Sequence, residues 1–170
     1  MVAGPAGSGK STLGEALAVR TGLPLLDLDT LTNPLLDVLG VHLPSGHWND
    51  TRWRPVVRPA RYACLLGAAA DQVRAGVGAV LVAPFTAELA GGDDWQRLLA
   101  AVAPVEPVVC WLDAPVPVRS ARVAARGAAR DRASTAEPTP AASPRIAHLR
   151  LDAALPTAQL VDRILRDLSP

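Results

Sequence analysis

Gly4-Pro5-Ala6-Gly7-Ser8-Gly9-Lys10-Ser11 fits the phosphate-cradling pattern G-x-x-x-x-G-K-[ST] and carries the only lysine of the chain. The other sixteen of the 17 Lys and Arg side chains are arginine. A planar guanidinium fork is a poor substitute where a compact ammonium must reach between phosphates, so the lysine kept here points to that task. Glycines at this spacing let successive backbone N–H groups turn inward around an anion, and a helix behind the loop adds its N-terminal dipole. Thr12-Leu13-Gly14-Glu15-Ala16-Leu17-Ala18-Val19-Arg20 reads as that helix, with Leu13, Ala16 and Leu17 on one face and Gly22 past its end. The alternative is a plain glycine turn before an amphipathic helix; the flanks favour a phosphate loop, with Ser11 placed to hold Mg²⁺.

The chain of 170 residues is 49% hydrophobic with a formal net charge of +1, which suits one domain over 1–170 with a sizeable core. Near-neutral charge gives no global attraction to nucleic acid or to an anionic membrane, which favours a small ligand. Cys64 and Cys110 sit in apolar runs far apart and are expected as buried core thiols. No secretory signal or membrane-length apolar stretch is visible, so the cytoplasm is the expected compartment. His42, His47 and His148 lack metal-ligand spacing.

Short apolar runs alternate with helical patterns, as in a parallel sheet covered on both faces. Strands are expected at 1–3, 24–28, 79–83, 108–112 and 148–151, and helices at 10–21, 59–75, 93–103, 117–126 and 157–168. Pro59 and Pro117 suit first helical positions, and Gly76 and Gly127 suit stops. Only Met1, Val2 and Ala3 precede the phosphate loop, so the strand feeding it is either short or continued by sequence upstream. Residues 133–144, rich in Pro, Ala, Ser and Thr, read as a mobile surface loop.

Asp27-Leu28-Asp29 closes the second strand, at the carboxyl edge where open α/β sheets bind ligands. One carboxylate there suits Mg²⁺ and the other a substrate hydroxyl; the alternative for Asp29 is a cap on a following helix. Arg119, Arg122 and Arg126 recur at helical spacing on one face, with Arg130 and Arg132 beyond. Beside a flexible segment such a stripe suits a lid over phosphates, spanning about 117–144, although a solvated face is the plainer reading. Arg52, Arg54, Arg58 and Arg61 form a second cluster with His47, Trp48, Asn49, Trp53 and Tyr62 within the substrate-side segment, about 33–62. Arg58 and Arg61 there suit an anionic, hydroxylated or ring-bearing acceptor, while Trp48 and Trp53 serve equally well as packing. The third strand runs into Pro84-Phe85-Thr86 without the acid that closes the equivalent strand in many ATPases. That speaks against a motor and leaves Asp27 or Asp29 as the Mg²⁺ partner of Ser11.

On these residues the chain resembles the small P-loop kinases of the shikimate kinase and gluconate kinase type. The likeness rests on Gly4 to Thr12 with Leu13-Gly14, on Asp27-Leu28-Asp29, and on Arg122-Val123-Ala124-Ala125-Arg126 in the lid position. Leu151-Asp152-Ala153-Ala154-Leu155-Pro156 is also similar to the adenine-side loop of gluconate kinases. The resemblance implies an α/β P-loop NTPase three-layer sandwich, with about five parallel strands, helices on both faces and a small lid. It implies ATP-dependent phosphorylation of a small-molecule hydroxyl. ATP and Mg²⁺ would be the cofactors, with no nucleic acid, no membrane and a monomeric state. ATP would lie on Gly4, Pro5, Ala6, Gly7, Ser8, Gly9, Lys10, Ser11 and Thr12. Lys10 would neutralise the β- and γ-phosphates, Ser11 would bind Mg²⁺ and Asp27 would orient a metal-bound water. Asp29 would act as base or orienter of the acceptor hydroxyl, Arg122 would lie near adenine and Arg126 near the transferring phosphate. Residues 33–62 match neither a shikimate nor a gluconate pattern, and Pro84-Phe85-Thr86 stands where shikimate kinases carry a glycine pair. A nucleotide-binding regulatory or interaction module without phosphoryl transfer is the rival reading.

Overall fold

The computed structural model describes residues 1–44, 47–126 and 142–168, with the side chain of Arg126 outside that description. Its strands are β1 (Val2–Ala3), β2 (Leu25–Asp27), β3 (Val80–Val82), β4 (Cys110–Asp113) and β5 (Leu149–Asp152). All pairings are parallel and the order is β2-β3-β1-β4-β5. The helices are α1 (Lys10–Thr21), α2 (Leu28–Gly40), α3 (Arg54–Arg74), α4 (Asp93–Val102), α5 (Val116–Arg126) and α6 (Thr157–Leu168), with a 3₁₀ turn at Glu88–Ala90. The expected five-stranded parallel sheet with helices on both faces is therefore present.

Successive strand residues point to opposite faces, and here both faces are apolar because both are covered. Val2, Val80, Val82, Cys110 and Leu112 meet Leu13 and Leu17 of α1 and Leu160, Val161 and Ile164 of α6. Ala3, Leu81, Val109 and Trp111 turn the other way, toward Tyr62, Leu65 and Ala69 of α3 and Leu98 and Val102 of α4. The two-residue β1 lies at the centre, where Val2 registers with Val82 on one side and with Cys110 on the other. Cys110 N–H donates to the Met1 carbonyl at 2.8 Å, adding one rung to the ladder. Among the described residues no helix is long and apolar enough to cross a membrane.

Several local expectations need correction. Residues 28–40, assigned no helix from sequence, form α2, whose N-cap is Asp27 rather than Asp29. The Asp27 carboxylate accepts from the backbone N–H groups of Asp29 and Thr30, satisfying donors that a helix start leaves open. Pro34 inside α2 and its two threonines lower intrinsic propensity, but Leu28 and Thr32 pack inward and burial outweighs it. Helix α3 starts at Arg54 with a proline in its first turn, so Pro59 lies inside the helix instead of opening it. Cys64 is exposed, because the buried residues of α3 are Tyr62, Leu65 and Ala69, while Cys110 is buried as expected.

The turn after β3 is held by an unusual arrangement. Phe85 is fully buried with φ 50°, a conformation costly for a bulky side chain. Its N–H donates to Tyr62 Oη at 2.9 Å, and the two rings meet edge to face at 5.8 Å. Arg58 lies 4.3 Å over the Tyr62 ring and pairs with the buried Glu88 at 3.0 Å. Burial, opposed by a backbone hydrogen bond and by Arg58, pushes the Glu88 carboxyl above its ordinary range.

A Cβ added at Gly14 would overlap the Val82 methyl, whereas at Gly67, on the open side of α3, it meets nothing within 4 Å. Gly14→Ala is expected to destabilise by about 1–3 kcal/mol through overpacking. Gly67→Ala is expected to stabilise by about 1 kcal/mol through helix propensity, and urea denaturation reads both signs. For Glu88, a carboxyl raised in the folded state contributes stability that is full below the unfolded pKa and is lost as pH rises through the folded one. Urea midpoints measured from about pH 4 to pH 7 should therefore show wild type losing stability relative to Glu88→Gln as pH rises.

Candidate active site

The loop between β1 and α1 wraps the helix N-terminus at the carboxyl edge of the sheet. Gly7 sits at φ 76° against the next wall: a Cβ there would lie 2.6 Å from the Arg119 carbonyl oxygen of α5. Only a residue without a side chain fits, so the phosphate loop and α5 are in backbone contact. Ser8 is buried, its hydroxyl turned toward Gly4. Lys10 Nζ donates to the Pro5 carbonyl at 2.9 Å, which lays the ammonium back across the loop it belongs to.

Asp27 joins this loop to the start of α2. Its Oδ1 accepts from Asp29 N–H at 2.8 Å and from Thr30 N–H at 3.4 Å, and its Oδ2 accepts from Ser11 Oγ at 2.9 Å. A strand end and a helix start thus place one carboxylate against the residue that follows Lys10. A small cavity of about 100 Å³ is lined by Lys10, Ser11, Asp27 and Asp29, with Val82 and Pro84 closing the far side. The serine hydroxyl and carboxylate oxygens are hard donors of the kind Mg²⁺ takes alongside phosphate oxygens, so the residues present fit that ion. No cluster of three His, Cys, Asp or Glu that would cage a metal unaided exists among the described residues.

Arg61 is the hub of the polar contacts between α3 and α2. Its Nη2 donates to Asp29 Oδ1 at 2.6 Å and to Asn33 Oδ1 at 2.9 Å, and its Nε donates to Thr32 Oγ1 at 2.8 Å. The guanidinium also lies 4.8 Å over the Trp48 ring, and Trp48 Nε1 donates to Asp37 Oδ1 at 2.7 Å. Trp48 is therefore buried packing that steadies Arg61. Arg58, one turn earlier, is bound to Glu88 and does not touch Asp29's cavity.

On the other side of the loop, Arg122 donates from Nη1 to the Ser8 carbonyl and from Nη2 to the Ala153 carbonyl, both at 3.2 Å. It ties the phosphate loop to the turn after β5, and Thr12, Leu155 and Leu160 complete a cleft of about 250 Å³ beside it. Arg119 departs from the expected stripe: it is 6% exposed, and its Nε donates to the Ala114 carbonyl at 3.1 Å. The expectations for the Arg126 side chain, for Arg130 and Arg132, and for most of the loop at 133–144 lie outside the described residues.

Sequence reasoning missed Glu88, Thr32, Asn33 and Asp37. Glu88 pairs with Arg58 from 30 residues away, a separation that no local pattern reveals. Thr32, Asn33 and Asp37 were findable, since a helix capped by Asp27 sets Thr32 and Asn33 one turn after Asp29.

A family model described as an AAA domain matches residues 1–139 of the chain. No curated relative matches the sequence. Among solved structures, a kinase candidate of Chloroflexus aurantiacus j-10-fl is similar with TM-score 0.68 and 22% identity, over 95% of this chain and 90% of that one. A sugar kinase of Janibacter sp. HTCC2649, solved without ligand, is similar with TM-score 0.63 and 22% identity, over 97% and 90% of the two chains. A gluconokinase of Sinorhizobium meliloti 1021 follows with TM-score 0.60 and 21% identity, over 98% and 92%. At these identities the structures speak for the fold. With its loop, strand order and helix layers in place, the chain belongs to the AAA domain family and has the fold of the small P-loop kinases.

Proposed function

We propose that this protein is an ATP-dependent phosphotransferase acting on a hydroxyl of a small molecule. One observation carries the reading: Ser11 and Asp27 meet at 2.9 Å, and Asp29 opens into the cavity that both share with Lys10. A cation site, a phosphate-reaching ammonium and a second carboxylate at one strand end are the parts that phosphoryl transfer to an alcohol requires. The sugar kinase and gluconokinase of like fold agree with it.

In this scheme the residues Gly4 to Thr12 cradle the triphosphate, and Lys10 compensates charge on its β and γ groups. Ser11 and Asp27 would hold Mg²⁺, which would supply compensation of phosphate charge there. Arg122, fixed between two carbonyls, borders the adenine side, and Arg126 serves the transferring phosphate. Asp29 accepts or orients the proton of the acceptor hydroxyl, held in place by Arg61, and Arg58 supports the same side through Glu88 and Tyr62. Catalysis on this plan is positioning and charge compensation, with little covalent work for the protein. A monomer in the cytoplasm goes with this reading.

The rival reading, an ATP-binding module without transfer, separates from it at Asp29. Asp29→Asn is expected to keep ATP affinity within a few-fold by calorimetry while lowering phosphoryl transfer about 10²- to 10⁴-fold. Transfer unchanged in that variant would remove Asp29 from the mechanism. Lys10→Ala is expected to abolish measurable turnover with an unaltered circular dichroism spectrum and melting profile. ATP consumption at background over a broad panel of hydroxylated metabolites, nucleosides and antibiotics would favour the module.

A further inference from the structure

Helix α2 is apolar on two sides. On the side toward α3, Leu28 and Thr32 are buried and Arg61 binds Asp29, Thr32 and Asn33. On the outer side Leu31, Leu35, Val38, Leu39 and, just past the helix, Val41 are between 42 and 69% exposed. Leu31, Leu35 and Leu39 recur every four residues, and the exposed Pro34 and Val38 run beside them at the same spacing. At that spacing the side chains form one continuous stripe along the helix. A helix apolar on both sides needs cover on both, and a bare stripe of this extent marks a contact surface.

None of the residues outside the description offers that cover. Residues 45–46, 127–141 and 169–170 contain no leucine, isoleucine, valine, methionine or aromatic residue. The stripe is also free of charge. Among residues 30–41 the one ionisable side chain is Asp37, and it accepts from Trp48 Nε1 at 2.7 Å. An uncharged stripe with regular ridges is complementary to itself. A twofold axis across it sets the leucine row of one copy into the groove of the other, with no like charges opposed and the helix dipoles antiparallel. The exposed surface amounts to about three whole side chains per copy, so two copies bury on the order of 1,000 Å² in all, the lower limit of a specific interface.

We infer that the outer face of α2 is a self-association surface, through which two copies of this chain pair antiparallel as a weak homodimer. The inference goes beyond the phosphotransfer reading and does not rest on it; the monomer that goes with that reading is the dissociated form of the pair. Because the side of α2 toward α3 holds Asp29 against Arg61, the pairing braces the same helix from outside.

The test follows the full chain by sedimentation velocity from about 1 to about 500 µM, a range that brackets affinities at this interface size. Wild type should pass from monomer to dimer across it, and its melting temperature should rise with concentration. Leu35→Glu and Val38→Glu, both at exposed positions, should keep the circular dichroism spectrum and the melting profile of the dilute protein while weakening association at least tenfold. Leu35 is the midpoint of the stripe, where a twofold axis brings a residue closest to its own copy. With the exposed Cys64 replaced by serine, Leu35→Cys should therefore form an interchain disulfide on oxidation far faster than Val19→Cys, an exposed position on α1. A chain still monomeric at the top of the concentration range overturns the inference. So does a dimer that both glutamate variants leave intact, or a Val19→Cys variant that cross-links as readily, because the interface then lies elsewhere. Binding to phosphatidylcholine vesicles that Leu35→Glu abolishes, by a chain that stays monomeric without them, gives the stripe to lipid and also overturns it.

Discussion

Both carboxylate oxygens of Asp27 are in use, and three parts of the molecule depend on where they point. One oxygen closes the open backbone donors at the start of α2; the other reaches the Ser11 hydroxyl in the first turn of α1. The side chain is 8% exposed, so it makes these bonds where water competes poorly. The end of β2, the beginning of α2 and the phosphate loop are thus referenced to one group. Lengthening it by a methylene, as in Asp27→Glu, would displace a helix start and a candidate cation site together, which makes its geometry hard to vary piecemeal.

The same economy recurs around Arg61. A single guanidinium gathers Asp29, Thr32 and Asn33 from α2 and the Trp48 ring from the connection before α3. Because Trp48 is itself tethered to Asp37 on α2, the connection is fastened at both ends to the helix that carries Asp29. Buried polar networks of this kind favour one arrangement over its neighbours when every member is satisfied. Precision at Asp29 is consequently supplied by residues that do not line its cavity.

How much of this was legible in the sequence follows from the range of each interaction. Gly4 to Ser11 announced itself because its chemistry is local: glycine spacing, one lysine and the helix behind them are contiguous. The sheet was readable from apolar runs such as Val80 to Val82, since strands covered on both faces leave an unbroken hydrophobic trace. Helix α2 was hidden by Thr30, Thr32, Asn33 and Pro34, whose propensities speak for a loop until burial against α3 is taken into account. Arg58 and Arg61 looked available for an anion because their partners, Glu88 and Asp29, lie 30 and 32 residues away. Arg119 looked like its neighbours on the helix, but it is buried and bonded to the Ala114 carbonyl, a partner that residue spacing does not reveal.

Arg122 spans from the phosphate loop to the turn after β5. The two walls of the cleft beside it are therefore spaced by the protein's own guanidinium, and the entropy of bringing them into register is met when the chain folds. A ligand entering such a cleft finds its width already set and gives up less of its contact energy to ordering the walls. Selection at such a cleft then falls to what fits a gap of fixed breadth, rather than to what can draw the gap closed.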